Sequence, residues 1–405
     1  MRSSVKLFVF AVTSAMFLIA GCSGPQVRST TPEDNPHHHY LAGMTALENG
    51  KIALAQEKLE RAIYLDERFA KAYAGLAVVS AEKVKGQVDA GFRQVETDRV
   101  FKYLKKAKKF ADKPDEEFDY YTANIRINTV IKNKHWLEQS EDAYKAGARL
   151  KVDERTLTYY QGAEALTYFM GGAKLEAFEF QKARDRFAEV LNAKRDGKWH
   201  EKADRAWKKT DRVVRAMAGI TVGDVGKKIA AQDNVTRGDL AALLVDELKV
   251  EKLFAGRFPV VSHEAGRKAE FTPADVLNHQ FRDEVLTLMK WEVRGLEPKF
   301  DETTNAYLFR AMDSVTRGEM ALVMEDVLIK LTGDEKLSTI FYGNGKSPFP
   351  DVRATSPFYN AVMNMTSRGI MEAGDVSGEF RLTDQLEGAE ALLAIKVLRQ
   401  KIDLN

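Results

Sequence analysis

Val235-Thr236-Arg237-Gly238-Asp239-Leu240-Ala241 returns further along the chain as Val315-Thr316-Arg317-Gly318-Glu319-Met320-Ala321. This repetition decides the fold of the C-terminal half. Threonine ahead of a helix with Asp or Glu three residues on is a capping box, in which side-chain oxygens satisfy the first orphan N–H groups. Each copy therefore opens an amphipathic helix, and the arginine falls at its first position, directed to solvent or into a groove. The flanks recur as well. Phe309-Arg310 lies ahead of the second copy, and further back Pro273-Ala274-Asp275-Val276 begins a helix that ends near Arg294-Gly295. The same order reappears as Phe349-Pro350-Asp351-Val352, Arg368-Gly369-Ile370 and Gly378-Glu379-Phe380-Arg381. Asp275 and Asp351 read as caps of turns or helix starts. Two departures stand out. The third copy has Leu386-Glu387-Gly388-Ala389-Glu390, with glycine in place of the arginine and no threonine cap, and the first copy has its leading helix compressed into Ile220 to Ala231.

These residues resemble the S-layer homology family, with its FPDV opening, a helix ending at a G-I step, a G-x-F-R element and a TRAE-like start to the next helix. The resemblance spans roughly residues 219 to 400. It implies three repeats, at about 218–250, 272–332 and 348–400, assembled into a pseudo-threefold helical unit. Its grooves would bind acidic cell-wall glycans or peptidoglycan-linked polymers. By position it assigns wall-ligand binding to Arg237 and Arg317, with Thr236, Thr316, Asp239 and Glu319 around them, and it makes the groove at Gly388 altered. The physical chemistry agrees, since an arginine beside free backbone N–H groups at a helix N-terminus is a site for carboxylate or phosphate. The competing reading of each arginine is a helix-start salt bridge with the nearby acid.

Upstream, small and apolar residues recur at helical spacing on both sides of Asn49-Gly50: Leu41, Gly43 and Leu47 before it, Ile52, Ala55, Leu59 and Ala62 after it. The spacing predicts two short antiparallel helices, ended and joined at Gly50, with Ala55 and Ala62 small where the helices approach. With Tyr73, Leu76 and Ala77 a repeat later, the pattern resembles the 34-residue tetratricopeptide repeat. Looser copies follow in Tyr103-Leu104-Ala107, in Trp136 with Ala143 and Ala146, and in Phe180-Ala183-Phe187-Val190, and the helix from Trp199 to Met217 is expected to cap the stack. Residues 37–217 thus read as a helical solenoid, whose concave face would take a segment of a protein partner. Lys102, Lys105, Lys106, Lys108, Lys109 and Lys113 form a basic run, read first as a solvated helix face and second as a surface for anionic glycan or lipid headgroups. His37, His38 and His39 lack partners at metal-ligand spacing and read as polar residues where the first helix begins.

At the N-terminus Arg2 and Lys6 precede an apolar run from Leu7 to Ala20 that closes on Leu18-Ile19-Ala20-Gly21-Cys22. That is signal-peptide anatomy, and the run is short of the ~20 residues a membrane-crossing helix needs. LIAGC resembles a lipobox, which implies cleavage after residue 21 and acylation of Cys22. Cys22 is the single cysteine of the chain, so internal disulfides are excluded, and lipidation would spare an unpaired thiol in an oxidising envelope. Residues 22–36 form the expected acylated tether, rich in Ser, Thr and Pro. Ser23, in place of the aspartate of inner-membrane retention, points to the outer membrane, and a wall-binding unit points to its periplasmic side.

The whole has 405 residues, 44% hydrophobic and 30% charged, with net charge +2, an ordinary globular make-up with no footprint for bulk nucleic-acid binding. Motifs for catalysis are missing: there is no G-x-S-x-G, no HExxH, no phosphate-binding glycine loop and no second cysteine. His135, His200, His263 and His279 share no metal-ligand spacing. The sequence therefore predicts an all-α, non-enzymatic envelope lipoprotein without cofactor or metal. One reading makes it a tether between a membrane and peptidoglycan or an associated polymer. The other makes it an assembly adaptor whose repeats recruit an envelope or secretion protein.

Overall fold

Asn35 and Gly50 mark the two ends of the first helix. The Asn35 side chain accepts a hydrogen bond from the His38 N–H (2.9 Å) and Pro36 takes the first position, so α1 (Pro36–Glu48) begins with an orphan donor answered. Gly50 has φ +71°, a left-handed conformation that costs other residues roughly 1 kcal/mol, and it turns the chain into α2 (Ile52–Leu65). The structure, a computed structural model, describes residues 31–193, 196–257, 271–343, 345–373 and 377–403. Cys22, the signal peptide and most of the expected tether lie outside the described residues.

The chain forms two units, divided at 166/167 within α7 (Glu164–Glu176). In the first, helices pack in consecutive pairs: α1 with α2, α3 (Ala70–Val84) with α4 (Ala90–Phe110), and α5 (Pro114–Ile131) with α6 (Trp136–Ala148). Leu59 explains the small residues. It is fully buried, and a Cβ on Gly43 would stand 2.7 Å from its Cγ while one on Gly75 would stand 3.0 Å from its Cδ1. Three helices thus close on one leucine, and the arrangement fits helical repeats. The residues singled out at the start of α1 serve packing and capping: His37 lies edge-on to Phe69 and His39 bonds Asp34 at 2.8 Å. In the basic run, Lys102, Lys105, Lys108, Lys109 and Lys113 are exposed, and Lys106 lies over the Tyr73 ring. Beneath it the unit buries charge. Tyr40 donates its hydroxyl proton to Asp119, and Lys71 pairs with Asp115 at 2.6 Å.

The second unit holds α8 (Phe180–Ala193), α9 (His200–Met217), α10 (Asp224–Ala230), α11 (Arg237–Asp246), α12 (Val250–Arg257), α13 (Arg282–Lys290), α14 (Arg317–Thr332), α15 (Tyr359–Ser367) and α16 (Gly388–Asp403). Its one departure from all-α architecture among the described residues is an antiparallel pair, β1 (Lys299–Asp301) with β2 (Ala306–Leu308), turning at Asn305. Helices α11, α14 and α16 follow the three TRAE-like positions. Each packs with the first helix of the next copy in cyclic order: α11 with α13, α14 with α15, α16 with α10. That closure is a pseudo-threefold, and Leu240, Met320 and Leu392 belong to its common buried core.

Helix α9 differs from its expected place. Val213 and Ala216 belong to the same core as the threefold helices, and α9 packs along α16 as well as α8. Division by repeat type falls at 217/218, whereas division by packing falls at 166/167. An amphipathic stripe specifies that a face is buried but not what covers it. No helix among the described residues is long and apolar enough to cross a membrane.

Candidate functional site

Three backbone hydrogen bonds tie the copies into a ring. Val315 N–H donates to Val235 O (2.8 Å), Leu386 N–H to Val315 O (2.9 Å), and Val235 N–H to Leu386 O (2.9 Å). The residue ahead of each TRAE-like element thus meets its counterparts at the threefold centre, third copy included.

Both expected capping boxes form around that centre. Thr236 Oγ1 accepts from Asp239 N–H (3.1 Å) while Thr236 N–H donates to Asp239 Oδ2 (3.1 Å). Thr316 and Glu319 repeat the exchange at 3.2 and 2.8 Å. The four side chains expected beside a ligand are occupied in closing helix starts.

The arginines between them turn inward instead of toward solvent. Arg237, 5% exposed, donates through Nε to Phe309 O (2.8 Å), through Nη1 to Gly295 O (2.8 Å) and through Nη2 to Glu297 O (2.9 Å). Arg317, 2% exposed, donates through Nε to Phe380 O (2.8 Å) and through Nη2 to Glu372 O (2.7 Å), and its Nη1 pairs with Glu390. Each guanidinium also lies over the ring of the phenylalanine it bonds, 4.9 Å from Phe309 and 4.8 Å from Phe380. The first helical residue of one copy is thus clamped to the Phe-Arg element of the next, Phe309-Arg310 or Phe380-Arg381. Gly238 and Gly318 permit the approach, donating to Ala311 O (2.9 Å) and Leu382 O (3.0 Å). A Cβ at either glycine would come within 2.6 Å of a neighbouring side chain. Burial lowers the Arg237 guanidinium from its ordinary value. It brings Arg317 down to about 10, the nearby Arg381 charge adding to the effect, so Arg317 stays cationic at neutral pH.

The two Phe-Arg turns are held by the aspartates of the preceding loops. Asp275 accepts from Phe309 N–H (3.0 Å) and Ala311 N–H (3.2 Å), and Asp351 from Phe380 N–H (2.8 Å) and Leu382 N–H (3.0 Å). The residue bridged in each case, Arg310 or Arg381, takes a left-handed φ of +57° or +60°. Such strain persists only where surroundings enforce it. Burial would raise the Asp351 carboxyl, but the N–H groups of Leu382 and Phe380 hold it below its usual value.

The three interfaces are unequal. At the interface of copies one and two, Arg310 pairs with Asp301 of β1, in its own copy, at 3.3 Å. Between copies three and one, Ile229 stands where the others have phenylalanine, and a Cβ on Gly388 would lie 1.8 Å from Ile229 O. That interface is closed by backbone, not merely short of an arginine. Between copies two and three a groove of about 440 Å³ opens, lined by Arg317, Arg381, Gly369 to Ala373, Glu387, Glu390 and, from α9, Arg212 and Arg215. Arg381 is 41% exposed there, its nearest carboxylate, Asp384, 3.7 Å away. Among the described residues no group of three or more histidine, cysteine or carboxylate side chains could hold a metal.

The groove, the Asp351-held turn and the Phe380–Arg381 pair converge on one segment. Residues 348–381 match the S-layer homology domain. That domain commonly binds cell-wall polymers, which assigns the chain coarsely to the cell envelope. No curated protein and no solved structure matches the chain. The first two copies lie outside the matched residues, yet the second repeats the segment's aspartate-held turn, with Asp275 in the place of Asp351 and Phe309 clamped by Arg237 as Phe380 is by Arg317. Arg381 was present in the sequence only as the last letter of G-x-F-R. Its left-handed turn between two N–H groups sharing one aspartate makes it the exposed cation that the copies themselves bring to the groove.

Proposed function

We propose that this chain is an outer-membrane lipoprotein, acylated at Cys22, that tethers the membrane to peptidoglycan or an associated acidic wall polymer on the periplasmic side. The observation that carries the wall-binding part is the groove between the second and third copies, where exposed Arg381, the last residue of the segment matching the S-layer homology domain, stands beside buried Arg317. A guanidinium held in a fixed turn is suited to a planar carboxylate or to phosphate, because its fork binds two oxygens at once. Within this reading Arg381 contacts polymer. Arg317 sets the groove's floor and potential, and Arg237, Thr236, Thr316, Asp239 and Glu319 keep the copies in register. Co-sedimentation of the full chain with purified sacculi tests the wall end, and loss of labelled fatty acid from Cys22→Ser tests the membrane end. An unmodified cysteine in the exported protein would rule out the lipid anchor.

A second reading is favoured by Phe92, Val95 and Phe101, apolar side chains exposed on α4. There the helix pairs of the first unit recruit an envelope or secretion protein, and the groove serves as scaffold. Capture of such a partner by a full chain that ignores sacculi would favour it.

A further inference from the structure

We infer that α9, a helix outside the three S-layer-homology-like copies, supplies a second cationic wall to the groove through Arg212 and Arg215, so that the site takes a polymer presenting more than one anionic group. The inference rests on the wall-binding reading above and adds residues to it that the family resemblance does not assign.

The third copy departs from the other two at the start of its second helix. In the first two copies, threonine and the acid three residues on bond each other. In the third, Glu387 stands in the threonine's place and Glu390 in that of the acid. With no threonine to close the cap, Glu390 pairs with Arg317, and Glu387 pairs with Arg212 of α9 at 2.5 Å. Lys396 of α16 donates to the Arg215 carbonyl at 3.1 Å, fixing the last turns of α9 against α16. Glu387, at a position that breaks the repeat pattern, and Lys396 therefore seat a foreign helix along the groove.

That helix brings donors the copies lack. Arg317 has its three nitrogens engaged, whereas Arg215, 61% exposed, pairs with Asp211 through Nε at 3.1 Å. The Arg381 carboxylate neighbour lies beyond hydrogen-bond distance. Arg215 and Arg381 thus offer guanidinium groups from two different elements lining one cavity. Two such forks bind two carboxylates or phosphates, which a repeating polymer supplies and a monovalent ligand does not. Arg212, already paired with Glu387, contributes less.

The test is co-sedimentation of the full chain with purified sacculi over a salt series, for wild type, Arg381→Ala, Arg215→Ala and Arg282→Ala, the last an exposed arginine of α13 away from the groove. Arg381→Ala and Arg215→Ala should each weaken binding about tenfold, the worth of one charge-assisted contact. Each should also lower the slope of log affinity against log salt by about one, as when one fewer counterion is released. Arg282→Ala should match wild type. If Arg381→Ala weakens binding and Arg215→Ala does not, the role of α9 is overturned while the wall-binding groove stands. If neither weakens it, the groove reading falls with it. Equal loss in Arg282→Ala would reduce the effect to bulk charge and overturn the inference.

Discussion

Replacing Arg237 by alanine would leave the carbonyls of Phe309, Gly295 and Glu297 without their donor and remove the cation from the Phe309 ring. Buried groups left unpaired cost ~1–3 kcal/mol each, less where water can enter, so the variant should lose about 2–4 kcal/mol of stability in the second unit, read as a lower melting temperature. Lysine should not restore it, because a point charge cannot reach three oxygens that a planar fork spans. Wild-type melting in Arg237→Ala would show that the clamp carries no load. Asp119 makes a prediction in the other unit. Its burial raises the carboxyl to about 7, against the pull of Lys71 and the Tyr40 hydroxyl. The unfolded carboxyl titrates near ~3.9, so the folded state holds the proton more tightly. Its stabilising contribution is complete below about pH 4 and is lost as pH rises through about 7. Hydrogen-exchange protection of α1 and α5 should therefore fall between pH 5 and pH 8 by on the order of 3 kcal/mol beyond the intrinsic rate change. In Asp119→Asn that fall should vanish. A fall of equal size in both would assign the effect elsewhere.

At the scale of elements, the third copy is instructive because it breaks the pattern that the other two keep. Restoring the family's arginine with Gly388→Arg should not create a third clamp, since its Cβ would meet Ile229 O at 1.8 Å. A shift of α10 or α16 would be forced, and destabilisation of about 2 kcal/mol or more is expected in chemical melts. A stable Gly388→Arg protein would mean that α10 yields readily. Asp351→Ala, which frees the N–H groups of Phe380 and Leu382, should release the left-handed turn at Arg381 and cost about 1–3 kcal/mol, again seen in melts.

Helix starts were legible in sequence because a capping box is local: Thr236 with Asp239 and Thr316 with Glu319 need nothing beyond their own first turn. The direction of Arg237 and Arg317 was not, because their partners at Phe309 and Phe380 lie far along the chain and meet them only across an interface. For the same reason α9 showed an apolar stripe without showing that α16 covers it. Gly388 announced a lost arginine, but the Ile229 backbone that fills its place is invisible until α10 packs.

At the scale of the molecule, one unit of paired helices and one threefold unit follow a segment read as signal peptide and lipid attachment. The proposed bridge assigns the membrane to Cys22 and the wall to the groove around Arg381, and leaves the helix pairs free to meet other proteins. Its central claim is that the groove binds wall polymer. The most direct measurement is co-sedimentation of the full chain with purified sacculi beside Arg381→Ala, with melting temperatures recorded for both. The account predicts that the wild type pellets and that the variant pellets about tenfold less well at an unchanged melting temperature. Equal pelleting of the two, or pelleting of neither, would contradict it.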